Sequence, residues 1–458
     1  QMHSVGSLNG RVVNPDGSPA VGVLVLMHDS EGNTVSSGTT GSDGTFSVEV
    51  VTAGTYTAAL VPASDPDSWQ DIGGDTPKEY LVTDGRVFVG PILLTSGLPY
   101  GPADHGRTTI GGGDTFTCAL GPSGTVECWG ENETHELGDG GNEASSSTPV
   151  TVTGITDAVN VTVGNHHACA AHADGTVSCW GDNSSGQLGD GTYNTASTPV
   201  TVTGITDAVA VTAGFSHSCA LHAGGSVSCW GEDLEGQLGN GTTGNGSATP
   251  VSVSGLLDAT AVSAGDSHTC AIHVSGTVSC WGWNEDGELG NGHNTDSNVP
   301  VTVTGITDAT QISGGALHTC ALHATGTISC WGGNTLGQLG DGNTVESYTP
   351  VNVSGLTSMS SLAAGSVHTC ASRTNGSVFC WGSGPLGELG NGTWNGSSSP
   401  VAVTGLSDGA EAAAGTYHSC VRRYAGRISC WGFNNNGQLG DGTNDSSSTP
   451  VGVVGFGP

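Results

Sequence analysis

The chain has 458 residues, only 11% of them charged, and a formal charge of −33 set against one lysine, Lys78, and seven arginines. A nucleic-acid binder needs a basic footprint to neutralise phosphate, so this balance excludes one and disfavours anionic membrane surfaces. No run reaches the roughly 18 apolar residues of a spanning helix, so membrane insertion is not expected, and 78 glycines with abundant Ser, Thr and Asn predict a turn-rich all-β chain.

The first 95 residues alternate short β-patterned runs with turn dipeptides: Gly10–Val13, Asp16-Gly17, Val23–Leu26, Asp43-Gly44, Thr45–Val48 and Gly54–Thr57. They resemble the carboxypeptidase-regulatory-like (transthyretin-like) β-sandwich, a spacer or adhesion unit on many extracellular proteins. Some surface sandwiches carry Lys–Asn isopeptide bonds, but Lys78 comes too late for that pattern. Residues 1–7 are read as a free tail or a strand donated to a neighbour. Gln1, with no basic segment and apolar core after it, is read as a mature terminus. Residues 96–107, with Pro99 and Pro102, form a short semi-rigid linker.

From residue 108 the chain repeats every 50 or 51 residues, seven times, which predicts a ring of blades. Each copy holds one Cys-x9-Cys pair: Cys118 with Cys128, Cys169 with Cys179, Cys219 with Cys229, Cys270 with Cys280, Cys320 with Cys330, Cys370 with Cys380 and Cys420 with Cys430. Between Cys169 and Cys179 the centre falls on Asp174, so Ala173-Asp174-Gly175 makes a three-residue turn with glycine in the left-handed conformation. That turn sets the cysteines opposite each other on adjacent strands, within reach of a disulfide. Seven such bonds imply an oxidising compartment. Four copies read His-x-Cys-x-x-His, but strand parity splits His167 and His172 onto opposite faces, so no metal and no cofactor is expected there. The histidines two residues before the first cysteine (His167, His217, His268, His318, His368 and His418; Phe116 in copy one) are read as packed and bonded to a neighbouring backbone. The tryptophans after the second cysteines, Trp129 to Trp431, are expected between blades.

These residues resemble the RCC1 (regulator of chromosome condensation) family of seven-bladed propellers. The resemblance rests on His217-Ser218-Cys219-Ala220-Leu221, Val227-Ser228-Cys229-Trp230-Gly231 and Gly236-Gln237-Leu238-Gly239, and on further Gly-Gln-Leu-Gly copies at 186–189, 337–340 and 437–440. Copy one departs with His135-Glu136-Leu137-Gly138. The expected fold is therefore all-β: a small N-terminal sandwich (1–95), a linker (96–107) and a seven-bladed propeller (108–458) with one disulfide per blade. Copy one lacks a preceding Pro-Val-x-Val strand, and Pro450–Val453 is expected to supply it. The resemblance implies nucleotide exchange and chromatin binding for nuclear members; the acidic surface and paired cysteines argue against both here. The family also includes a secreted bacterial inhibitor of β-lactamases.

Function is therefore expected to be non-catalytic: a secreted or cell-surface structural or adhesion protein that holds other proteins or copies of itself, in one version as a filament or layer. The alternative is a secreted binder of proteins or glycans. Trp283, Trp394 and Tyr193 break the repeat frame in loops and are the candidate binding residues. Ten Asn-x-Ser/Thr sequons suit a secreted chain as glycosylation candidates: Asn132, Asn160, Asn183, Asn240, Asn245, Asn352, Asn375, Asn391, Asn395 and Asn444. The acidic loop Asn284–Glu288 is weighed as a calcium holder and lacks the ligand spacing of a recognised loop. No localised Ser/His/Asp or carboxylate constellation escapes the repeat frame, so no catalytic residue is assigned.

Overall fold

A computed structural model describes residues 109–456, apart from Pro122 and Ala425, together with eight strands between Gly6 and Leu93. The chain divides into two compact units, residues 1–104 and 105–458. In the first, Thr45–Val50, Gly6–Val13 and Gly85–Leu93 make one sheet, the last two strands parallel. Thr34–Thr39, Leu24–His28, Gly54–Val61, Gln70–Asp71 and Glu79–Val82 make another. The first strand begins at Gly6, so the last two residues of the expected tail belong to it. Lys78 and the linker expected at 96–107 lie outside the described residues.

The second unit consists of seven four-stranded antiparallel sheets in strict chain order. In blade 2 the strands are Ala158–Val163, His167–His172, Val177–Gly181 and Ala196–Thr201, from the centre outwards. The Pro-containing strand is thus the outermost of its blade. Proline cannot donate to a ladder, so a sheet edge is where it fits. This corrects the expected closure. Ser447–Gly452 pairs with Ile428–Gly432 and is the outer strand of blade 7; it does not complete blade 1, whose own strands run contiguously from Ile110 to Thr151. Closure comes instead from packing and hydrogen bonds between blades 7 and 1: Val453 and the half-buried Phe456 join Trp129 and Ile110 of blade 1 in one cluster, and Trp129 Nε1 donates to Gln438 O at 2.9 Å.

The middle hairpin forms as its spacing dictates. Cys169 faces Cys179 in register and His172 N–H donates to Thr176 O, leaving 173–175 as the turn with Gly175 at φ 85°. The same hairpin recurs in every blade, and each expected disulfide is formed. Cys118 is bonded to Cys128, Cys169 to Cys179, Cys219 to Cys229 and Cys270 to Cys280. Cys320 is bonded to Cys330, Cys370 to Cys380 and Cys420 to Cys430, which leaves no free thiol. Their Cα atoms stand 4.0–4.1 Å apart, the close spacing of a non-hydrogen-bonded antiparallel pair. Period-2 alternation then does the packing. Cys179 faces the core shared with blade 3, where it meets Trp230, while Trp180 faces blade 1 and packs on Phe116 and Leu137. In blades 1, 5, 6 and 7 the second cysteines Cys128, Cys330, Cys380 and Cys430 meet Trp180, Trp381, Trp431 and Trp129 of the following blade in the same way. The seven tryptophans that follow the second cysteines, Trp129, Trp180, Trp230, Trp281, Trp331, Trp381 and Trp431, are fully buried.

The innermost strands surround a channel of about 190 Å³. Glycines recur in its lining, beside larger residues such as Val211 and Ile312, where the strands converge: a Cβ on Gly164 would stand 2.4 Å from Gly214 O, a clash no side chain can relieve. Two kinds of connection emerge at one end of the ring, the turns between first and second strands and the long loops between third and fourth. This is called the loop end below.

Candidate functional site

Between blades, the histidines make a repeated relay. His167 Nε2 lies 2.8 Å from Ser218 Oγ of the next blade, and Ser218 donates to Gln187 O at 3.0 Å. Trp230 Nε1 donates to the same carbonyl at 2.8 Å. His217–Thr269, His268–Thr319, His318–Thr369, His368–Ser419 and His418–Thr117 repeat the contact at 2.7–2.9 Å, the last closing the ring. Since the hydroxyl spends its proton on the carbonyl, Nε2 must carry the imidazole proton. The partner is thus a side-chain hydroxyl, where sequence reading expected a backbone group. Burial pushes these histidines down to about 3 or 4, so they are neutral at physiological pH. At the blade 1–2 junction Phe116 and Ala168 take the two positions, and an apolar contact replaces the relay.

The second histidines of four blades face the opposite end. His172 Nδ1 lies 2.7 Å from Asp157 Oδ1 and its Nε2 2.9 Å from Ser178 Oγ. His222 holds Asp207 and Ser228, His273 holds Asp258 and Ser279, and His323 holds Asp308 and Ser329 alike. The order of bonds is that of a serine-hydrolase triad. Each serine, however, sits mid-strand, where neighbouring N–H groups are committed to the ladder and cannot turn to a developing oxyanion. The groups instead tie the inter-blade connection to the sheet; blade 7 does the same with Arg423 and Asp408, 2.7 Å apart.

All three frame-breaking aromatics belong to third-to-fourth-strand loops and so share the loop end. Tyr193 is 58% exposed and Trp394 49%, while Trp283 is half-buried with an unpartnered Nε1. Tyr193 lines a pocket of about 210 Å³ with Ser185, Glu232, Asp233 and Leu234. Phe215, Leu234, Leu317, Leu336, Val345 and Tyr417 are also exposed in loop-end connections. Sequence reading missed these because a lone Leu, Val or Phe in a loop carries no signal of its direction, and Tyr417 sits inside the repeat frame, one residue before His418. Of the 29 acids in residues 106–458, 21 lie in the same connections or at their edge, and none of the described arginines does. Arg373, Arg422 and Arg423 stand at second-strand ends and Arg427 in the following turn, at the opposite end.

Below these loops, Asn183 Oδ1 accepts Leu188 N–H and its amide donates to Thr192 O; Asn132, Asn284, Asn334 and Asn434 bind their loops alike, with Asp233 accepting the equivalent leucine N–H. The sequon asparagines Asn132, Asn160 and Asn183 are therefore buried and hydrogen-bonded and cannot carry a glycan in the folded chain. Asn245, Asn352, Asn375, Asn395 and Asn444 are exposed, and Asn240 and Asn391 half-buried. In the loop weighed for calcium, Asn284 and Glu288 turn inward, so it presents no ligand cage. Burial pushes the Glu288 carboxyl up to about 8, and it stands where blades 2, 3, 5 and 7 have glutamine.

The sequence matches the RCC1-like domain over residues 197–456, and single RCC1 repeats over 123–171 and 158–187. The chain belongs to the RCC1-like domain family. A carboxypeptidase regulatory-like domain matches residues 7–61. The RCC1-like region is similar to human E3 ubiquitin-protein ligase HERC2 (39% identical over 84 residues, 18% of this chain and 2% of that protein). It is also similar to protein pim1 of Schizosaccharomyces pombe (30% over 121 residues, 24% and 22%). The chain thus spans less than a quarter of either relative. Among solved structures it shares its fold with human WBSCR16 (TM-score 0.66, 21% identity, 72% of this chain and 94% of that one). Yeast RCC1 (Prp20), solved bound to Kap60, is a second fold match (TM-score 0.64, 22%, 72% and 83%). The RCC1-like propeller fold is therefore what these solved structures share with this chain.

Proposed function

We propose that the chain is a non-catalytic, secreted or cell-surface binding protein of adhesive type, whose propeller grips a basic protein partner with its loop end. One observation carries this: two frame-breaking aromatics and six further exposed apolar side chains gather at the end that holds most of the acids and none of the described arginines. Aromatic anchors set among charges of one sign are the usual make-up of an interface with an oppositely charged partner. Protein binding also accords with the Kap60 complex of yeast RCC1. Seven buried disulfides support residence outside the reducing cytosol.

The test is equilibrium binding to the principal protein captured on the native chain. Tyr193→Ala with Trp394→Ala should weaken it about tenfold or more. Leu257→Ser with Val274→Ser, at the opposite end, should leave it unchanged. Equal effects from both pairs would reject the assignment. Sedimentation across a concentration series identifies the case in which the partner is a second copy, and a glycan panel the case in which it is a sugar.

A further inference from the structure

At the loop end of the blade 1–2 junction, Glu131 closes the third strand of blade 1, Glu136 follows in its loop, and His166 reaches in from the first turn of blade 2. One donor atom from each lies within 4.8 Å of the other two, and His166 Nδ1 is 3.2 Å from Glu136 Oε1. Glu136 is fully buried, whereas His166 is partly exposed, so the cluster is open to solvent on one side.

The other blades show what the fold requires here. In blade 2 the equivalents are Asp182 and Gln187, and the amide Nε2 donates to the carboxylate at 2.8 Å; in blade 3 Gln237 and Glu232 repeat it at 3.5 Å. In blades 4 and 6 a glutamate replaces the glutamine, Trp283 and Ser383 hold the position equivalent to Glu131, Ser383 donates to Glu388 at 3.2 Å, and burial drives both glutamate carboxyls up. Only blade 1 sets a carboxylate against a carboxylate, and only there does the next blade contribute an imidazole; the equivalents of His166 are Ser216, Ser267, Leu317, Val367, Tyr417 and Thr115. Two carboxylates that close, one of them buried, favour a shared cation. Asp114 adds a further negative field at His166. This is also the one junction where Phe116 and Ala168 replace the histidine–hydroxyl relay.

We propose that Glu131, Glu136 and His166 form a divalent-metal site, Zn²⁺ being the best match, that clips blade 1 to blade 2. One imidazole and two carboxylates with an open side suit a tetrahedral ion that keeps water as its fourth ligand. Thr134 N–H and Oγ1, bonded to the Glu136 carboxylate, orient that ligand from behind.

The test uses the full chain with disulfides intact, stripped with chelator and titrated with Zn²⁺, and with Co²⁺ for its visible absorption. One ion per chain is expected, with a rise in melting temperature on Zn²⁺ addition. Glu136→Gln and His166→Ser install what other blades carry at these positions and so should fold, as circular dichroism in chelator would verify. Each should weaken binding roughly tenfold or more and abolish the thermal shift. Should a variant fail to fold, anomalous scattering from Zn²⁺-soaked native crystals locates the ion directly. No stoichiometric binding, binding undiminished in both variants, or an ion elsewhere on the acidic surface would overturn the proposal.

Discussion

A neutral imidazole held between a neighbouring hydroxyl and a dry interior is a liability in acid. In the unfolded chain a histidine gains a proton near its ordinary value of 6.5; in the fold the six relay histidines resist it down to about 3 or 4. Between those limits the unfolded state binds more protons, so stability must fall as pH falls, with a slope approaching six protons. Glu288, with its carboxyl raised to about 8, acts in the opposite sense: its stabilisation is present in acid and lost as pH rises. Glu288→Gln should therefore raise stability above pH 8 and change little at pH 5, as denaturant titrations at the two pH values would show. Thr369→Ala should cost about 1–3 kcal/mol by orphaning His318 Nε2. Adding His318→Phe should recover much of that loss and flatten the acid limb, because Phe116 and Ala168 already pack this way. A single mutant as stable as the parent, or a double mutant less stable than the single, would break the relay account. The cysteine pairing was legible from spacing alone. The histidines' true partners were not, because a hydroxyl 51 or 52 residues away becomes a neighbour only once blades stack.

A blade owes its register to one tight hairpin, and that is the part a linear pattern encodes well. The turn glycine, the opposed cysteines and the alternation that sends Cys179 one way and Trp180 the other all follow from local geometry. Each disulfide closes a loop of ten residues and should contribute roughly 2–3 kcal/mol through the unfolded state. Cys270→Ala with Cys280→Ala should lower unfolding free energy by about that amount while leaving the propeller folded, since the pair is packed by Trp331 and Leu289 as well. Where the strand pattern misled was phase. The Pro-Val strand precedes the Ala-Val strand in sequence, yet Val200 pairs with Cys179 of the strand before it, so the repeat unit read along the chain starts one strand early. Nothing local distinguishes a strand that opens a blade from one that finishes the last. The loop departure His135–Gly138 was visible as a break in the pattern; its meaning emerged only when His166, from the next blade, stood 3.2 Å from Glu136.

Across the whole ring, near-identical blades still yield two unlike ends. One carries salt-bridged arginine and the Asp–His–Ser ties that fasten connections to sheets; the other carries the acids, the aromatics and the open pocket beside Tyr193. The asymmetry follows from chain direction, since long third-to-fourth-strand loops all leave from one end, and those loops are where the sequence accumulates change. Binding through an acidic end should weaken with salt, so raising ionic strength from low to physiological values should slow association more than it speeds dissociation. The most direct test of the proposed binding face places a photo-crosslinking residue at Trp394 in one preparation and at Val274, at the opposite end, in another, each exposed to the proteins of the source. Cross-links confined to the Trp394 preparation, and lost on competition with unmodified chain, are the predicted result. Equal cross-linking from Val274, or from that site alone, would contradict the account.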